Sequence, residues 1–393
     1  MEAAGGAAVV MRPVDPCVAA NSCAPGTWVN VTDPRIDLFN GDCGNYGTKS
    51  ILVDPLNAAE LYSSFNCGGI WKSKDYGLTW QGPINTGENG LKVSDCAGAI
   101  SIARSPSNPL PILYESCIRG TGIGFWRSLN GGVDWKRFDV LPNGGQPTAV
   151  NQGFYTPAVD PYDANHLLMA GHQTDVLAQS IDGGETWTPV ILDPGMVSGN
   201  TGTAGINFIN TGVVSSTRNT WLWSAASVGV DQNGIGSVGT WRTTDGGATW
   251  KLVDRMEHIN GSMHSELFQA LPYSSGVLYL AGAYSALGAG VIRSEDFGAT
   301  WVHVGETRQE AVVVGTPNHV YAMFGGGAGP KDSVDTALQV GGTTAVGKWN
   351  MPGTPAEMRL GPGQAAVTNN GTYNIVIMAN YNSGLWRYVE PTN

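Results

Sequence analysis

An all-β fold, a seven-bladed β-propeller of four-stranded blades whose ring is closed by the N-terminal strand, is what the sequence predicts. Three observations carry it. An eight-residue motif, Ser/Thr-x-Asp/Asn-x-Gly-x-Thr/Asp-Trp, recurs at 73–80, 128–135, 180–187, 243–250 and 294–301 of the 393 residues. Its Trp positions, 80, 135, 187, 250 and 301, lie 51 to 63 residues apart, a period that marks an array of one structural unit. A second element, an apolar run followed by a turn and another apolar run, recurs in step with the first.

Each copy of the motif reads as a tight hairpin turn. Strand-like runs flank it, as in Gly69-Ile70-Trp71-Lys72-Ser73 before one copy and Trp135-Lys136-Arg137-Phe138 after another. The Asp at the third position can accept hydrogen bonds from nearby backbone N–H groups. The Gly at the fifth supplies a positive φ that a side chain resists. The Trp starts the next strand and offers a large face to pack between sheets. These residues read as scaffold, because the motif repeats with the fold and not with a site.

The second element is clearest in Ile51-Leu52-Val53-Asp54-Pro55 with Glu60-Leu61-Tyr62, and in Ala158-Val159-Asp160-Pro161 with His166-Leu167-Leu168-Met169. Weaker versions start at Ile102 and Val312. Such a run is an inner strand, a turn and a second strand. Each repeat therefore holds strands A to D, with the motif at the C–D turn, which is one propeller blade. Trp349 falls 48 residues after Trp301, where a degenerate sixth motif should end. A last unit, around Ala365-Ala366-Val367, Asn374-Ile375-Val376-Ile377-Met378 and Gly384-Leu385-Trp386-Arg387-Tyr388, has strands A, B and C only. Gly26-Thr27-Trp28-Val29-Asn30-Val31 resembles the strand that follows a motif and is expected to supply the missing D. Closure of this kind removes exposed edges. The count is seven blades, or six if the Trp349 unit is an insertion. Residues 1–25 form an N-terminal extension with a local disulfide, and 26–393 a single propeller.

Composition agrees. Glycine contributes 55 residues, about twice the usual share, and only 13% of residues are charged. A net charge of −11 disfavours nucleic acid and anionic membranes as partners. All six Cys, at 17, 23, 43, 67, 96 and 117, lie in the first third of the chain. Cys43 and Cys67 flank strands A and B of the first blade, and Cys96 and Cys117 do so in the second, so Cys43–Cys67 and Cys96–Cys117 are expected, with Cys17–Cys23 left over. Each bridge could add roughly 3 kcal/mol. Disulfides imply an oxidising compartment, hence a secreted, extracellular protein, expected to be a monomer. Residues 1–12 lack a signal-peptide shape, which implies a leader removed or replaced. Three Asn-x-Ser/Thr sequons, at Asn30, Asn260 and Asn370, fit the secretory route.

The recurring motif resembles the Asp-box of the sialidase-like, or BNR-repeat, propellers, and the resemblance covers most of the chain. It implies that the C–D turns lie on the face opposite the ligand site. The working mouth is then built from D–A connections and B–C loops. On that rule His166, His303 and His319 are scaffold or surface, while His172, His258 and His264 stand at the mouth. Arg127, Arg242, Arg293 and Arg387, each following an apolar residue of strand C in register, decorate the blades. Arg119, Arg255 and Arg359 fall at the mouth, with Tyr46, Tyr155, Tyr284, Tyr381, Asn66, Asn380 and Gln173. The mouth carboxylates include Glu88 and Glu115.

The expected function is a carbohydrate-active enzyme, a polysaccharide lyase that cleaves beside a uronic acid. His172, His264, Tyr284 and Tyr381 would supply acid and base, and Arg119 or Arg255 would neutralise the uronate carboxylate. His258, Tyr46, Asn66, Tyr155, Gln173, Asn380 and Arg359 would bind the sugar. A glycoside hydrolase is the first alternative. Sialidases share the fold, but Arg35-Ile36-Asp37 does not reproduce their early Arg-Ile-Pro motif. Xyloglucanases of this kind place a cleft between two propellers, whereas one propeller is read here. A non-catalytic glycan- or protein-binding propeller is the other alternative. The connections differ from blade to blade, which favours one unique site over repeated lectin pockets. No metal centre and no cofactor is called for, although channel carbonyls and acids could hold a structural calcium.

Overall fold

The computed structural model describes residues 15–20, 22–38, 47–95, 99–118, 120–141, 152–172, 176–193, 196, 201–227, 239–254, 267–281, 290–304, 312–324, 329–335, 347–351, 353–359, 363–380 and 383–391. Its strands form seven antiparallel sheets. The first comprises β2 (Thr48–Asp54), β3 (Asn57–Phe65) and β4 (Gly69–Ser73). Next come β5 (Ile100–Ser105), β6 (Asn108–Cys117), β7 (Gly124–Ser128) and β8 (Lys136–Phe138), then β9 (Ala158–Asp160), β10 (Asp163–Ala170), β11 (Leu177–Ser180) and β12 (Thr188–Val190). The fourth holds β13 (Thr201–Phe208), β14 (Trp221–Ser227), β15 (Gly239–Thr243) and β16 (Lys251–Asp254). The fifth holds β17 (Leu267–Gln269), β18 (Leu278–Ala281), β19 (Val291–Ser294) and β20 (Val302–His303). The sixth is β21 (Val312–Gly315), β22 (Val320–Phe324) and β23 (Gly329–Ser333). The seventh is β24 (Gly363–Asn369), β25 (Asn374–Asn380) and β26 (Gly384–Val389), completed by β1 (Trp28–Asn30).

The two ends of the chain thus meet in one sheet. Trp28 pairs with Tyr388 and Asn30 with Trp386. Gly26 N–H donates to the Val389 carbonyl and Val31 N–H to the Leu385 carbonyl, both at 2.9 Å. The first and sixth blades keep only an isolated bridge where a fourth strand is expected, Lys72 with Gln81 and Asp332 with Asn350. Gln81 is followed by Gly82-Pro83, and a proline cannot extend the ladder as a donor.

Burial explains why the strands stay flat against one another. Each inner strand is covered on both sides by a neighbouring blade, so β10 runs buried from Leu167 to Ala170 without alternation. Seven hydrophobic clusters result, one at each blade–blade junction. Trp71, Trp221 and Trp223 are among the largest fully buried side chains in them.

The recurrent motif folds the same way in each of its copies. The Ser or Thr hydroxyl donates to the Asp carboxylate, as Ser73 to Asp75 at 2.8 Å and Thr243 to Asp245 at 2.7 Å. The same oxygen accepts the N–H of the fifth-position glycine, as from Gly77 at 2.9 Å and Gly247 at 3.0 Å. The Asp accepts the N–H of the seventh residue, Thr79 or Thr249, at 2.9 Å. All five glycines at the fifth position have positive φ, between 76° and 94°. The Trp stands one residue before the next strand instead of starting it. In three copies its indole N–H closes back on the turn, Trp135 donating to the Gly132 carbonyl at 2.9 Å, Trp187 to Gly184 at 3.1 Å and Trp301 to Gly298 at 3.0 Å.

One expectation needs correction. The Arg residues of strand C are not decoration, because Arg293 and Arg387 are 2% and 1% exposed. Arg127 donates to the Gly183 carbonyl and Arg242 to the Phe297 carbonyl, each in the motif of the following blade. Arg293 reaches Asp335, in the degenerate sixth motif, at 2.7 Å.

Candidate functional site

The first strand of each blade lies nearest the ring axis, and residues of six of these strands line a cavity of about 320 Å3. Its polar wall is made by Lys49 of β2, Ser101 of β5, Tyr155 just before β9, Asn207 of β13 and Gln364 of β24. Ile100, Leu52, Val159, Ile206 and Leu267 supply the apolar remainder. A site at one end of the central channel follows from the fold, since the chain enters each blade there.

Backbone bonds hold the wall between the second and third blades. Tyr155 N–H donates to the Ala170 carbonyl at 2.8 Å, and His172 N–H to the Gly153 carbonyl at 2.9 Å. Ser116 hydroxyl donates to the Phe154 carbonyl at 2.5 Å, and Ser101 hydroxyl to the Pro157 carbonyl. These bonds bring the imidazole of His172 edge-on to the ring of Tyr155, with centroids 5.2 Å apart and planes at 78°. Both residues are 6% exposed. His172 therefore packs against Tyr155, which lines the cavity although its phenol oxygen is sealed from water.

Glu115 lies behind the same wall. It sits in β6 between Ile100 and Trp126 and is 3% exposed. Burial pushes its carboxyl well above the ordinary range, and the Lys49 charge, which pulls the other way, does not offset it. Its Oε2 has no hydrogen-bond partner among the described residues. Lys49 is itself 3% exposed, so a buried base lines the cavity with a buried acid behind it.

Of the residues singled out by sequence, the structure brings His172 and Tyr155 together. Asn66 is buried and its N–H donates to the Gly47 carbonyl at 2.9 Å, beside the B–C loop of the first blade. Asn380 ends β25 opposite Gly363 and Gly384, and Arg359 ends a short 3₁₀ turn, Ala356–Arg359. Tyr46, Arg119, Gln173, Arg255, His258, His264, Tyr284 and Tyr381 lie outside the described residues. Glu88 is not at the mouth. Its N–H donates to Asp134 at 2.7 Å and its carbonyl accepts from Trp135, so it sits on the C–D turn of the second blade. Lys49, Asn207 and Gln364 were not singled out. Lys49 and Gln364 each hold the second position of a first strand, and that register is the signal that could have found them.

Two of the histidines expected to be scaffold are partnered as scaffold. His166 is 3.0 Å from Asp160 and 2.8 Å from Gln179, and His319 is 2.8 Å from Glu390. Among the described residues, the group able to offer a metal three ligands is Asp15, Cys17 and Cys23. The two sulfurs are bonded to each other and the carboxylate is taken by Arg387, so this group fits no ion. Cys67 and Cys117 are also disulfide-bonded, while Cys43 and Cys96 lie outside the described residues. No helix among the described residues is long and apolar enough to cross a membrane.

No family model matches the chain. It is 28% identical over 193 residues to xyloglucanase Xgh74A of Acetivibrio thermocellus, covering 43% of this chain and 22% of that protein. It is 24% identical over 312 residues to a xyloglucanase of Hypocrea jecorina, covering 71% of this chain and 35% of that protein. The chain thus spans about a fifth to a third of these relatives. The GH74 xyloglucanase structure from Xanthomonas campestris superposes with a TM-score of 0.57 at 15% identity, covering 92% of this chain and 53% of that one. That likeness is one of fold.

Proposed function

We propose that the chain is the propeller of a secreted glycoside hydrolase acting on a β-glucan of the xyloglucan type, with the channel mouth contacting the sugar. The observation that carries this reading is the sequence match to xyloglucanases from a bacterium and a fungus. The cavity supports it. At about 320 Å3 it lies at the small end of ligand sites, and its wall mixes aliphatic side chains with two amides, two hydroxyls and one lysine. Such a surface suits a neutral sugar.

The lyase reading is withdrawn in favour of the hydrolase. Elimination beside a uronate calls for a cation that neutralises the substrate carboxylate. The cavity wall holds no Arg among the described residues, and its Lys49 stands within the field of Glu115. His172, the one described member of the expected acid–base set, is packed behind Tyr155 and is not placed to abstract a proton from a substrate. The xyloglucanase reading, set aside because one propeller was read in the chain, returns with the relatives.

The test is incubation with xyloglucan and a panel of neutral and uronate-containing polysaccharides. Hydrolysis produces new reducing ends and product masses that sum to substrate plus water. Products that absorb in the ultraviolet as unsaturated sugars, or no new reducing ends on any glycan, would overturn it.

A second reading is a glycan-binding propeller without turnover. It is favoured by one observation, that no carboxylate lines the cavity among the described residues. Hydrolysis ordinarily uses a pair of carboxylates about 5–9.5 Å apart. Saturable binding of xyloglucan oligosaccharides without cleavage would select this reading.

A further inference from the structure

The N-terminal segment from Asp15 to Cys23 does more than precede the first strand. Asp15 is 0% exposed, Cys17 1% and Cys23 7%. Asp15 Oδ1 accepts the N–H groups of Cys17 and Val18, at 3.1 and 3.4 Å, which fixes the short helix Pro16–Ala19. Cys17 carbonyl accepts from Ser22 and Cys23, at 3.0 and 3.3 Å, and the Cys17–Cys23 disulfide closes the turn. The closed turn sits on the junction of the last blade with the first. Its sulfurs pack against Val389 and Tyr373 of the seventh blade, Val29 of β1 and Leu78 of the first-blade motif. From inside the turn, Asp15 Oδ2 accepts from the Arg387 guanidinium and, at 3.5 Å, from Asn370. Arg387 in turn donates to the Tyr76 carbonyl in the first blade at 3.0 Å.

We infer that Asp15 to Cys23 is a thiol-labile clasp over the seam of the ring. Six of the blade junctions are crossed by continuous chain, but the seventh is the place where the two ends were brought together. Here the disulfide holds Asp15 at Arg387, and Arg387 holds the turn of the first blade. A dithiol reductant would attack one sulfur, the more exposed residue being Cys23, to give a mixed disulfide. Its second thiol would then release the reductant as a cyclic disulfide, leaving two protonated thiols on the chain. The freed segment loses its fixed turn, and Asp15 loses its enforced place beside Arg387. Seven blades remain, since Ile375, Ile377 and Leu385 still pack on Leu61, Trp71 and Trp80 across the seam. The seam itself becomes the first place to open. The inference rests on the fold alone and stands whether or not the chain cleaves a glycan.

The test is amide hydrogen exchange read by mass spectrometry on the whole chain. In Cys17→Ser/Cys23→Ser, exchange in β1, β26 and the Tyr76–Leu78 turn should rise about tenfold or more, with β10 and β14 unchanged. Wild-type protein titrated with dithiothreitol should approach the same pattern in β1 and β26 as the Cys17–Cys23 bridge is lost. Asp15→Asn, which keeps the disulfide, should loosen the same seam. Seam exchange in the double variant equal to wild type, or acceleration spread evenly over β10 and β14, overturns the clasp. So does wild-type seam exchange that stays slow after mass spectrometry shows both thiols free.

Discussion

The Nε of Arg387, in the last strand C, donates to the carbonyl oxygen of Tyr76, in the first-blade turn, at 3.0 Å. The donor is the residue before the first position of the motif, and the acceptor is the fourth position of the next motif. The same two positions meet as Arg127 with Gly183 at 2.9 Å and Arg242 with Phe297 at 2.8 Å. A guanidinium suits the task because its planar donors are always charged and can serve a carbonyl and a carboxylate together. Arg387→Ala should cost about 3–5 kcal/mol, because Asp15 is left as a buried, unpaired charge. Arg242→Ala loses a charged hydrogen bond to a carbonyl and should cost about 1.5–3 kcal/mol. Denaturant midpoints of the two variants, at unchanged m-value, check the ordering.

The motif's glycines bear two demands that can be separated, close packing at the fifth position, Gly77, and a left-handed backbone alone at the fourth, Gly131. Gly77 has φ +76°, and a Cβ there would land on Ile377 Cδ1 of the seventh blade. Gly131 has φ +72°, but its nearest neighbour would be Pro111 Cδ at 3.8 Å. Gly131→Ala should therefore cost only the left-handed conformation, about 1–2 kcal/mol. Gly77→Ala should cost that and the displacement of a packed isoleucine, visible as a clearly lower melting temperature than the Gly131 variant.

Stability should depend on pH through Glu390, which ties the sixth blade to the seventh. Burial opposes its ionisation, but hydrogen bonds from His319, Asn374, Tyr321 and Thr316 outweigh it and hold the carboxyl down at about 2. The depressed value means this stabilisation is present above the ordinary glutamate range, near 4.3, and is lost as pH falls toward about 2. His319 is shifted upward by its bond to Glu390. Its contribution is therefore full below the ordinary histidine value, near 6.5, and fades as pH rises through the raised one. His319→Gln should flatten the alkaline limb of the melting temperature against pH, and Glu390→Gln the acid limb. Parallel curves for wild type and both variants would contradict the assignment.

The repeat made the blades legible because the same physics acts on each copy: a turn that needs a positive φ, a short acidic acceptor and an indole to close over it. Even ring closure was readable, from a strand at 26–31 with no motif before it. The bare bridge at Gln81 was less so, because Pro83 ends a ladder that the Trp80 motif appears, by pattern, to begin. The sixth motif keeps Ser333 and Asp335 at the end of its strand C and has Trp349 displaced well beyond the usual spacing, and Asp335 has been redirected to Arg293 and Tyr279. The cavity wall was less legible for a different reason. It was sought in loop histidines and arginines, whereas the described wall is made by strand residues. Glu115 is hidden in Ile112-Leu113-Tyr114-Glu115-Ser116-Cys117, which reads as an ordinary strand, and only packing reveals that it is sealed from water.

The cavity wall offers a direct probe of the proposed site. Tyr155 lines the cavity while His172 backs it. Tyr155→Phe removes a phenol oxygen that is sealed from water, so it should leave stability within about 1 kcal/mol and the affinity for a xyloglucan oligosaccharide unchanged. His172→Ala removes the ring that sets the Tyr155 orientation and should weaken binding together with stability. Isothermal titration of both variants checks the split, and unchanged affinity in both would move the sugar away from this wall.

Glu115 decides how the wall is charged. If burial keeps the acid neutral, Glu115→Gln reproduces its shape and hydrogen-bonding valence, so folding at pH 5 should hardly change. The wild type differs as pH rises. A carboxyl whose folded value lies above its unfolded one binds more protons when folded, so its stabilisation is complete below the ordinary range and is lost as pH climbs through the raised value. Glu115→Gln has nothing to lose there, and its melting temperature should gain on wild type steadily between pH 5 and pH 8. The opposite trend, a variant that falls behind wild type on the alkaline side, would mean that Glu115 is ionised in the fold and bound to Lys49. In that case Lys49→Met should be the more damaging substitution at pH 8, since it would strand the carboxylate in a site that excludes water.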